Sequence, residues 1–595
     1  MFRATVPSLA ALLLFAGSAD AATSVDYGPI SHKGLKSAGP ASTGLKLSLQ
    51  LGLIANQQGI ANAVKAASSP TSSSYGKYLS LSTLQSKYGA SSSRRSAVVD
   101  AFKSYGINAT VDVTHLRVSA TVSIKNAQKL FGTKWDLYES GDQYVALPVN
   151  TPKLPSGLNG NVDTIAGMRL NVSQSAAAAQ AGGTPTRTGA ISPGCAPTTF
   201  PAGTLSTAGL FPNQILNAYG IAPLQAAGLK GQGSRVAIVG EGPTPSADVN
   251  TYRSCFGFTG TALQQHGSTS LKPILESSLD AMTVSMVAPQ LDRFDLWVRS
   301  LNEEDDDGDV EGFLQLLAQP LQATTNGTPL PDVISVSYGV CEAQVKPYTA
   351  SRTLVERQLA ATAALGITTV VAAGDSGSSA CAHGVPASQL TSADEQKSAS
   401  WPATSPWVLA VGGTNLTLTP ANAIASSGVW NDTAYTAPYQ KAAGGGGGVS
   451  MFVQRPWWQP ATSSQKTYRM VPDVAAFADE SPGYTIVCSS EVQSCGPSPG
   501  QTLAFVGGTS AAAPLVAGMI ALWKQKAHSI GAPRPGFVPP LLYSLAHRAG
   551  AYLDIATGTN VVFAGVNCCS AGAGFDLASG LGSPMADQIA AALKP

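Results

Sequence analysis

A serine stands where a glycine-rich turn opens into an apolar helix. The sequence reads Gly507-Gly-Thr-Ser510-Ala-Ala-Ala-Pro514, between the strand-like residues 503–506 and an apolar stretch that runs to about Lys526. Glycine permits the tight turn, and proline is tolerated in a first helical turn. Free N–H groups and the dipole at a helix N-terminus favour developing negative charge. Ser510 is therefore a candidate nucleophile, although an isolated Gly-Thr-Ser is more often a simple helix cap.

The familiar serine-hydrolase patterns do not explain this serine. The elbow Gly-x-Ser-x-Gly fails, because Ser510 is followed by Ala-Ala512. Gly374-Asp-Ser-Gly377 imitates part of the chymotrypsin motif, but it follows a strand in an α/β pattern, whereas that family needs an all-β framework. A nucleophilic serine also needs a base. No histidine occupies a recognisable catalytic motif; the six stand at positions 32, 115, 266, 383, 528 and 547.

A pair of carboxylates offers another base. Glu276 and Asp280 are four residues apart, which places them on one face of a helix. Two like charges at that spacing are mildly unfavourable and tend to share a proton when they lie close together. A carboxylate with an ordinary pKa of about 4.3 stays ionised in mild acid, where histidine is protonated. From spacing alone, a solvated acidic helix face is an equally good interpretation.

These residues need a framework, and the sequence predicts a parallel sheet. Largely apolar, β-branched runs alternate with helical segments such as residues 353–365, a pattern typical of a sheet covered on both faces. In such sheets function collects at the carboxyl ends of the strands. The strand candidates are residues 235–239, 333–337, 367–372 and 408–411.

The composition limits the classes of partner. The 595 residues carry 36 Lys and Arg against 35 Asp and Glu, a net charge of +1, which removes the electrostatic case for nucleic acid or an anionic membrane surface. Residues 1–21 resemble a signal peptide, with Arg3, a short apolar run and an Ala19-Asp-Ala21 cleavage pattern. We expect a secreted, extracellular protein, without a membrane span and monomeric.

The chain divides at a low-complexity segment. Residues 22–171 contain two helical patterns, 57–67 and 92–105, and two strand-like runs, 110–118 and 144–147, enough for a small α+β domain. Residues 172–194 are rich in Ala, Gly and Thr and almost uncharged, so we predict a flexible linker with a processing site. Residues 195–595 would form the second domain.

Eight cysteines fit an oxidising compartment. None shows paired Cys-x-x-Cys zinc spacing, so disulfides are the better interpretation. Cys488 and Cys495 enclose a short polar loop and form the best local pair. The adjacent Cys568 and Cys569 are not expected to pair with each other, because such a bridge strains the backbone.

Taken together, several motifs resemble one family, the sedolisins or serine-carboxyl peptidases. Before the linker, Tyr75-Gly-Lys-Tyr-Leu-Ser80 resembles part of the pro-kumamolisin-type activation domain that precedes these enzymes. The resemblance implies a subtilisin-like parallel sheet flanked by helices, preceded by a small α+β, ferredoxin-like prodomain. The motifs are Glu276-x-x-x-Asp280, Ser335-Val-Ser-Tyr-Gly339, Gly374-Asp-Ser-Gly377, Trp401-Pro-Ala-Thr-Ser-Pro406, Val411-Gly-Gly-Thr414, the glycine run 444–448, Val471-Pro-Asp-Val474 and Gly508-Thr-Ser510.

The resemblance also implies roles for individual residues. Ser510 would be the nucleophile, Glu276 its general base, Asp280 the residue that orients Glu276, and Asp375 a donor in the oxyanion hole. Asp375 can donate a hydrogen bond only when protonated, as apolar burial allows in ketosteroid isomerase. The family's pattern therefore implies an acidic optimum. Glu241, just after the first predicted strand, is a candidate for an additional acid linked to the pair.

Near the C-terminus the sequence resembles the calcium loop of the same family. Two carboxylates and three backbone carbonyls would supply hard oxygen ligands for one structural Ca²⁺ ion, although a structural turn without metal is an alternative. Cys568 and Cys569 lie within this loop. The ligands that the resemblance implies are Asp554, Ile555, Gly572, Gly574 and Asp576.

The leading functional hypothesis is an acid-acting endopeptidase made as a zymogen. Its partners would be protein or peptide substrates and its own prodomain, an intramolecular inhibitor. The alternatives are a tripeptidyl-type exopeptidase of the same family and a catalytically silent secreted binding protein on this scaffold. A subtilisin-type peptidase is disfavoured because His266-Gly267 lacks the rest of the required histidine motif.

Overall fold

The computed structural model describes residues 25–140, 143–172, 209–268, 271–299, 309–433, 442–462, 465–492, 495 and 501–595. The predicted signal peptide, residues 1–21, and all but the first residue of the predicted linker, 172–194, lie outside this part of the chain. No helix within the described residues is both long and apolar enough to cross a membrane.

The N-terminal domain is built from two four-stranded antiparallel sheets and a few helices. The predicted helices are confirmed to within two residues at each end. The helices of this domain are Gln57–Ser68, Leu81–Thr83, Ser92–Lys103 and Ile124–Phe131, with a π-helix at Leu84–Tyr88. Its strands are Lys36–Pro40, Lys46–Leu53, Ala109–Val111, Arg117–Ser123, Trp135–Ser140, Gln143–Pro148, Val162–Ala166 and Leu170–Val172.

One of these sheets has ferredoxin-like topology. Lys46–Leu53 and Arg117–Ser123 are its central strands, flanked by Val162–Ala166 and Ala109–Val111, which is the 4-1-3-2 order of a β-α-β-β-α-β unit. The single strand predicted over 110–118 is wrong. Asp112 Oδ1 instead accepts hydrogen bonds from the backbone N–H groups of residues 116 and 117, and the chain turns there into a hairpin.

A seven-stranded, entirely parallel sheet forms the framework of the second domain. The strands are β1 Arg235–Gly240, β2 Gln264–Gly267, β3 Arg293–Val298, β4 Val333–Val336, β5 Thr368–Ala372, β6 Val408–Thr414 and β7 Val474–Phe477. Their order in the sheet is β2-β3-β1-β4-β5-β6-β7. The chain therefore builds outward on both sides of β1, and the order reverses between β1 and β4, the place where such folds bind ligands.

Helices cover this sheet, as the alternating sequence predicts. The four longest are α1 Leu275–Val287, α2 Val310–Gln322, α3 Thr349–Ala364 and α4 Thr509–Ser529. Nearly every residue of α4 before Lys524 is buried, which explains why its sequence is apolar on all sides rather than amphipathic. A Cβ added at Gly518 would lie 2.6 Å from Val287 Cβ, so a glycine lets α4 approach the end of α1 closely.

Shorter elements complete the second domain. The short helices are Pro212–Ala218, Ile221–Ala226, Ser246–Cys255, Glu342–Val345, Pro539–Ser544 and Ala586–Ala590, with 3-10 turns at Ala323–Asn326 and Ala380–Ala382. The short strands are Gly209–Leu210, Val340–Cys341, Ser400–Trp401, Thr417–Leu418, Ile424–Ser426, Asn431–Asp432, Ala443–Gly444, Gly448–Gln454, Tyr468–Val471, Gly483–Ser489, Gln501–Val506, Tyr552–Leu553 and Ser583–Pro584.

Three disulfides are present among the described residues. The bridge from Cys488 to Cys495 confirms the predicted local pair, and a second joins Cys341 to Cys381. The expectation that adjacent cysteines stay apart is wrong, since Cys568 and Cys569 are bonded. Cys569 adopts a left-handed backbone conformation, with φ of 51°, and this local turn accompanies the pairing.

Candidate active site

Ser510 lies in the first turn of α4, as the sequence predicts. The strand Gln501–Val506 ends just before Gly507, and Gly508 precedes the helix with φ of 106°, a conformation that favours glycine. Ser510 is the second helical residue and is partly exposed. Its hydroxyl therefore stands where the helix dipole stabilises negative charge.

Asp375 contacts the same turn from the end of β5. Its Oδ1 accepts hydrogen bonds from the backbone N–H and the hydroxyl of Thr509, both at 2.7 Å. The Thr509 hydroxyl oxygen in turn accepts from the N–H of Gly374, at 3.1 Å. A Cβ added at Gly508 would lie 2.9 Å from Asp375 Oδ2, so this glycine makes room for the second carboxyl oxygen. Asp375 is thus fixed beside the residue that precedes Ser510.

Asp280 reaches the serine turn through a bridging hydroxyl. Ser337, just after β4, donates a hydrogen bond to Asp280 Oδ1 at 3.0 Å. The same hydroxyl lies 3.4 Å from the backbone carbonyl oxygen of Ser510. Asp280 is buried, with 1% of its surface exposed. The helix that carries the carboxylate pair and the helix that carries the serine therefore meet at the end of β4.

Glu276 lies one turn before Asp280, in the first turn of α1. Burial raises the pKa of Asp280 well above its ordinary value, and the negative charge of Glu276 raises it further, while the Ser337 hydroxyl opposes the shift. The pair therefore retains a proton to higher pH than two separate carboxyls. Ser277 donates to the carbonyl oxygen of Gly242 at 2.6 Å, which brings the segment containing Glu241 beside this helical turn.

A cavity lies where the carboxyl ends of β4 and β5 meet the serine turn. Its lining includes Ser337, Gly339, Asp375, His383 and Ser510. Two predicted catalytic residues, which are 135 positions apart in the chain, thus face one space, at the sheet edge where function is expected.

The two histidines of interest have different surroundings. His266 lies on edge strand β2, where its Nε2 is 2.7 Å from Asp295 Oδ1 and its ring stacks on Trp297 at 4.0 Å. Asp295 and Trp297 therefore hold His266 in place on this edge strand. His383 is exposed but lines the cavity beside Ser510, which its sequence context did not predict. It is the natural control for any carboxylate mechanism.

Two residues that organise the site, Ser337 and Thr509, lie within the quoted motifs, but the sequence predicts no role for either. Ser337 connects Asp280 to the serine turn, and Thr509 holds Asp375. A usable signal existed for Ser337, because polar residues directly after parallel strands lie at the functional edge of the sheet. The side-chain hydrogen bonds themselves depend on tertiary packing.

The residues of the predicted calcium loop gather in a second cluster. Both carboxyl oxygens of Asp554 accept from the N–H of Gly574, at 3.1 and 3.2 Å, and Asp576 Oδ2 accepts from the N–H of Gly572 at 2.9 Å. The Ile555 carbonyl oxygen lies 3.4 Å from the Ser579 hydroxyl, which also bonds Asp576.

The donor set of this cluster is chemically suited to Ca²⁺, because it consists of carboxylate and carbonyl oxygens. Within the described residues, however, no group of three or more histidine, cysteine or carboxylate side chains is arranged for a metal. Backbone carbonyls would therefore have to supply much of the coordination. Burial also raises the pKa of Asp576, although several backbone N–H groups oppose that shift.

Comparisons with known proteins place these features in a family context. Residues 33–170 match the pro-kumamolisin activation domain, and residues 317–536 match the subtilase family. Kumamolisin of Bacillus sp. (strain MN-32) is 34% identical over 291 residues, which is 48% of this chain and 46% of that protein. The tripeptidyl-peptidase sed4 of Aspergillus fumigatus is 27% identical over 549 residues, 84% of this chain and 81% of that protein.

A solved structure shows the same similarity in three dimensions. Pseudomonas sedolisin, described as a serine-carboxyl proteinase complexed with two molecules of pseudo-iodotyrostatin, aligns with a TM-score of 0.52 and 26% identity. The alignment covers 65% of this chain and 98% of that chain. The match to kumamolisin spans about half the length of that relative. The chain thus joins a pro-kumamolisin activation domain to a subtilisin-like domain and is a homologue of the sedolisins and kumamolisin.

Proposed function

We propose that the chain is a secreted, acid-acting serine-carboxyl endopeptidase that is made as a zymogen. The observation that carries this proposal is the Ser337 bridge, which connects the Asp280 carboxyl at 3.0 Å to the Ser510 turn at 3.4 Å. This bridge brings a carboxylate pair and a helix N-terminal serine to one sheet edge. The arrangement supports nucleophilic attack on an amide with a carboxylate as base.

In the proposed acylation step, Glu276 accepts the hydroxyl proton of Ser510 as the oxygen attacks the substrate carbonyl. Asp280 is a positioning residue. Its raised pKa lets it hold a proton and donate toward Glu276, which keeps Glu276 as the ionised member of the pair. Glu276 then returns the proton to the leaving amine. Water hydrolyses the acyl-enzyme in a second round of the same proton transfers.

Asp375 would stabilise the tetrahedral intermediate. Thr509 donates two hydrogen bonds to Oδ1, which leaves Oδ2 as the oxygen that can carry a proton. A protonated Oδ2 donates to the oxyanion, and an ionised one repels it. The proposal therefore predicts an activity optimum in acid.

The remaining parts of the proposal concern processing, location and metal. The activation domain would inhibit the catalytic domain until cleavage within residues 172–194, and residues 1–21 would direct export. Asp554, Asp576 and the carbonyls of the loop would hold one Ca²⁺ ion, which would cross-link the C-terminal segment.

A digest at low pH tests the proposal. A denatured, unrelated protein is incubated with acid-treated enzyme at pH 3–7, and fragments are identified by mass. We expect internal cuts, an optimum in acid, and no cuts by Ser510→Ala. An enzyme that is most active at alkaline pH would contradict the carboxylate mechanism. Absence of both hydrolysis and self-processing would instead favour a binding protein on this scaffold.

A tripeptidyl-type exopeptidase is the second candidate, favoured by the similarity to a tripeptidyl-peptidase over 84% of the chain. The two activities differ in their need for a free substrate N-terminus. Peptides with acetylated and free N-termini therefore distinguish them. An endopeptidase cuts both at the same internal bonds, whereas an exopeptidase releases short fragments only from the free peptide.

A further inference from the structure

The activation domain inserts a tyrosine into a site on the far side of the catalytic domain. Tyr78 belongs to the motif of residues 75–80, and its ring lies along two glycines of the catalytic domain. A Cβ added at Gly366 would lie 2.5 Å from Tyr78 Cγ, and one added at Gly536 would lie 2.4 Å from Tyr78 Cε2. Glycine is therefore required at both positions if the ring is to occupy this place.

Polar contacts fix the orientation of the ring. The backbone N–H of Phe537 donates to the Tyr78 hydroxyl at 3.0 Å, and the Arg534 guanidinium lies 5.9 Å from the ring centroid. Burial raises the pKa of the Tyr78 hydroxyl, which keeps it neutral. The next residue, Leu79, donates its N–H to the carbonyl oxygen of Ala364 at 2.9 Å. We call Gly366, Arg534, Gly536 and Phe537 the Tyr78 site.

The catalytic domain holds this site together by itself. Arg534 donates to the carbonyl oxygen of Gly366 at 2.7 Å and pairs with Asp332 at 3.3 Å. Thr368, the first residue of β5, donates to the carbonyl oxygen of Gly536 and accepts from the N–H of Val538 at 3.2 Å. Because these bonds lie within one domain, the site remains formed after the activation domain leaves.

The Tyr78 site lies at the opposite end of the sheet from the candidate active site. Gly366 precedes β5, whereas Asp375 follows it. The five residues of β5 span about 16 Å at roughly 3.3 Å per residue. Contacts at the Tyr78 site therefore add to the affinity of the activation domain for the catalytic domain without contacting the serine turn.

We propose that the Tyr78 site is the main anchoring surface for the activation domain, an exosite that selects an extended segment centred on a tyrosine. The inference rests on the proposed zymogen function, and its occupant is the segment of residues 75–80. Tyrosine in a fitted pocket is a common hot spot of protein interfaces. Another of the cross-domain contacts, the bidentate ion pair of Asp163 with Arg357 at 2.7 and 2.9 Å, is partly exposed and more strongly screened by water.

Hydrogen exchange in the full-length precursor tests the anchor without any need for activity. In a Ser510→Ala background, Tyr78→Ala should speed exchange at the amides of Leu79 and Phe537 by at least about tenfold, because both hydrogen bonds depend on the ring. Tyr78→Phe removes only the hydroxyl and should speed exchange at Phe537 alone. Tyr105→Ala, at an exposed tyrosine of the same domain, is the matched control and should change neither amide.

Release of the activation domain gives the second readout. In the catalytically competent precursor at acid pH, Tyr78→Ala should release the activation domain roughly thirty-fold faster than the parent, the smallest effect typical of a hot spot. This increase in the release rate should be larger than the increase caused by Asp163→Asn. The mature enzyme should keep its kcat and KM. Unchanged amide exchange in Tyr78→Ala, or a larger effect of Asp163→Asn, would overturn the anchor. If no variant processes itself, the proposed peptidase function fails while the exchange data still decide the anchor.

Discussion

The sequence predicts functional roles for two pairs of carboxylates, and the structure places the two pairs in very different surroundings. Asp280, paired with Glu276, is 1% exposed, bonds a side-chain hydroxyl and has a strongly raised pKa. Asp554, paired with Asp576 in the C-terminal loop, is exposed and accepts from a backbone N–H. The same residue type can therefore act as a proton carrier or as an oxygen ligand, depending on burial and donors.

Placement in the fold, rather than spacing in the sequence, decides the chemistry of these carboxylates. The first pair lies on a helix that packs against the helix that carries Ser510, at the carboxyl edge of the sheet. The second lies in a glycine-rich turn, whose flexible backbone can direct carbonyls inward. The first pair should therefore control turnover, and the second should control stability.

Removal of the proposed nucleophile should have the largest effect on catalysis. Ser510→Ala should lower peptide hydrolysis by at least about 10⁴-fold and leave the precursor at full length, because no other hydroxyl replaces the attacking group. Ser529→Ala, at the exposed end of the same helix, is the control and should retain activity. Substantial hydrolysis by Ser510→Ala would place the nucleophile elsewhere.

Asp375 should show a smaller loss that depends on the replacement. Asp375→Ala should reduce kcat about 10²–10³-fold, the usual cost of one oxyanion donor. Asp375→Asn keeps a neutral N–H donor, so it should retain more activity than Asp375→Ala. The kcat of both variants and of the parent at the acid optimum checks this. Equal losses in the two variants would argue that Asp375 acts only through its bonds to Thr509.

Burial should also make the folded protein more stable in acid. Desolvation raises the pKa of Asp479 from 3.8 to about 6, with a further contribution from Asp432 and opposition from backbone N–H groups. Between about pH 4 and 6 the folded state holds a proton that the unfolded state has lost, so stability falls as pH rises, by about 3 kcal/mol for this group. Denaturant unfolding of the Ser510→Ala precursor at pH 4 and 7 measures the difference.

Asp479→Asn should remove that contribution and flatten the dependence of unfolding free energy on pH. Asp292→Asn is the control, because Asp292 is exposed and its amide replacement can still accept from the N–H of Gly233. An unfolding free energy that rises between pH 4 and 7 would contradict the expected contribution of the Asp479 carboxyl.

The C-terminal loop should show the smallest effect, on stability alone. Ca²⁺ at 10 mM should raise the thermal midpoint over that in chelator by a few degrees, because an ion bound only by the folded state stabilises it. Asp554→Asn should abolish this increment without changing kcat. An identical midpoint with and without Ca²⁺ would assign the loop to a structural turn.

The pattern of apolar residues and the alternation of strand and helix segments along the chain predict much of this fold. Residues 235–239, 367–372 and 408–411 are apolar because both faces of the sheet are covered, and all three lie in strands of the parallel sheet. The predicted strand over 110–118 fails because Asp112 stabilises a turn with its side chain. Such a bond depends on a local rotamer that hydropathy does not encode.

The candidate active site, too, is only partly predictable from the sequence. Ser510 and the carboxylate pair are visible in the sequence through a helix start and a four-residue spacing. The contacts of Ser337 and of Tyr78 are not, because they join segments that are far apart in the chain. Nor could spacing alone distinguish His383, which lines the cavity, from His266, which pairs with Asp295.

The proposed mechanism requires a carboxylate to take the hydroxyl proton of Ser510, and Glu276→Gln tests this requirement. The amide keeps the shape of Glu276 but cannot accept the proton, so kcat for an internally cleaved peptide should fall at least about 10²-fold at every pH between 3 and 7. His383→Ala, measured in parallel, should stay close to the parent. Full turnover by Glu276→Gln together with loss of activity in His383→Ala would contradict the account and transfer the role of base to the histidine.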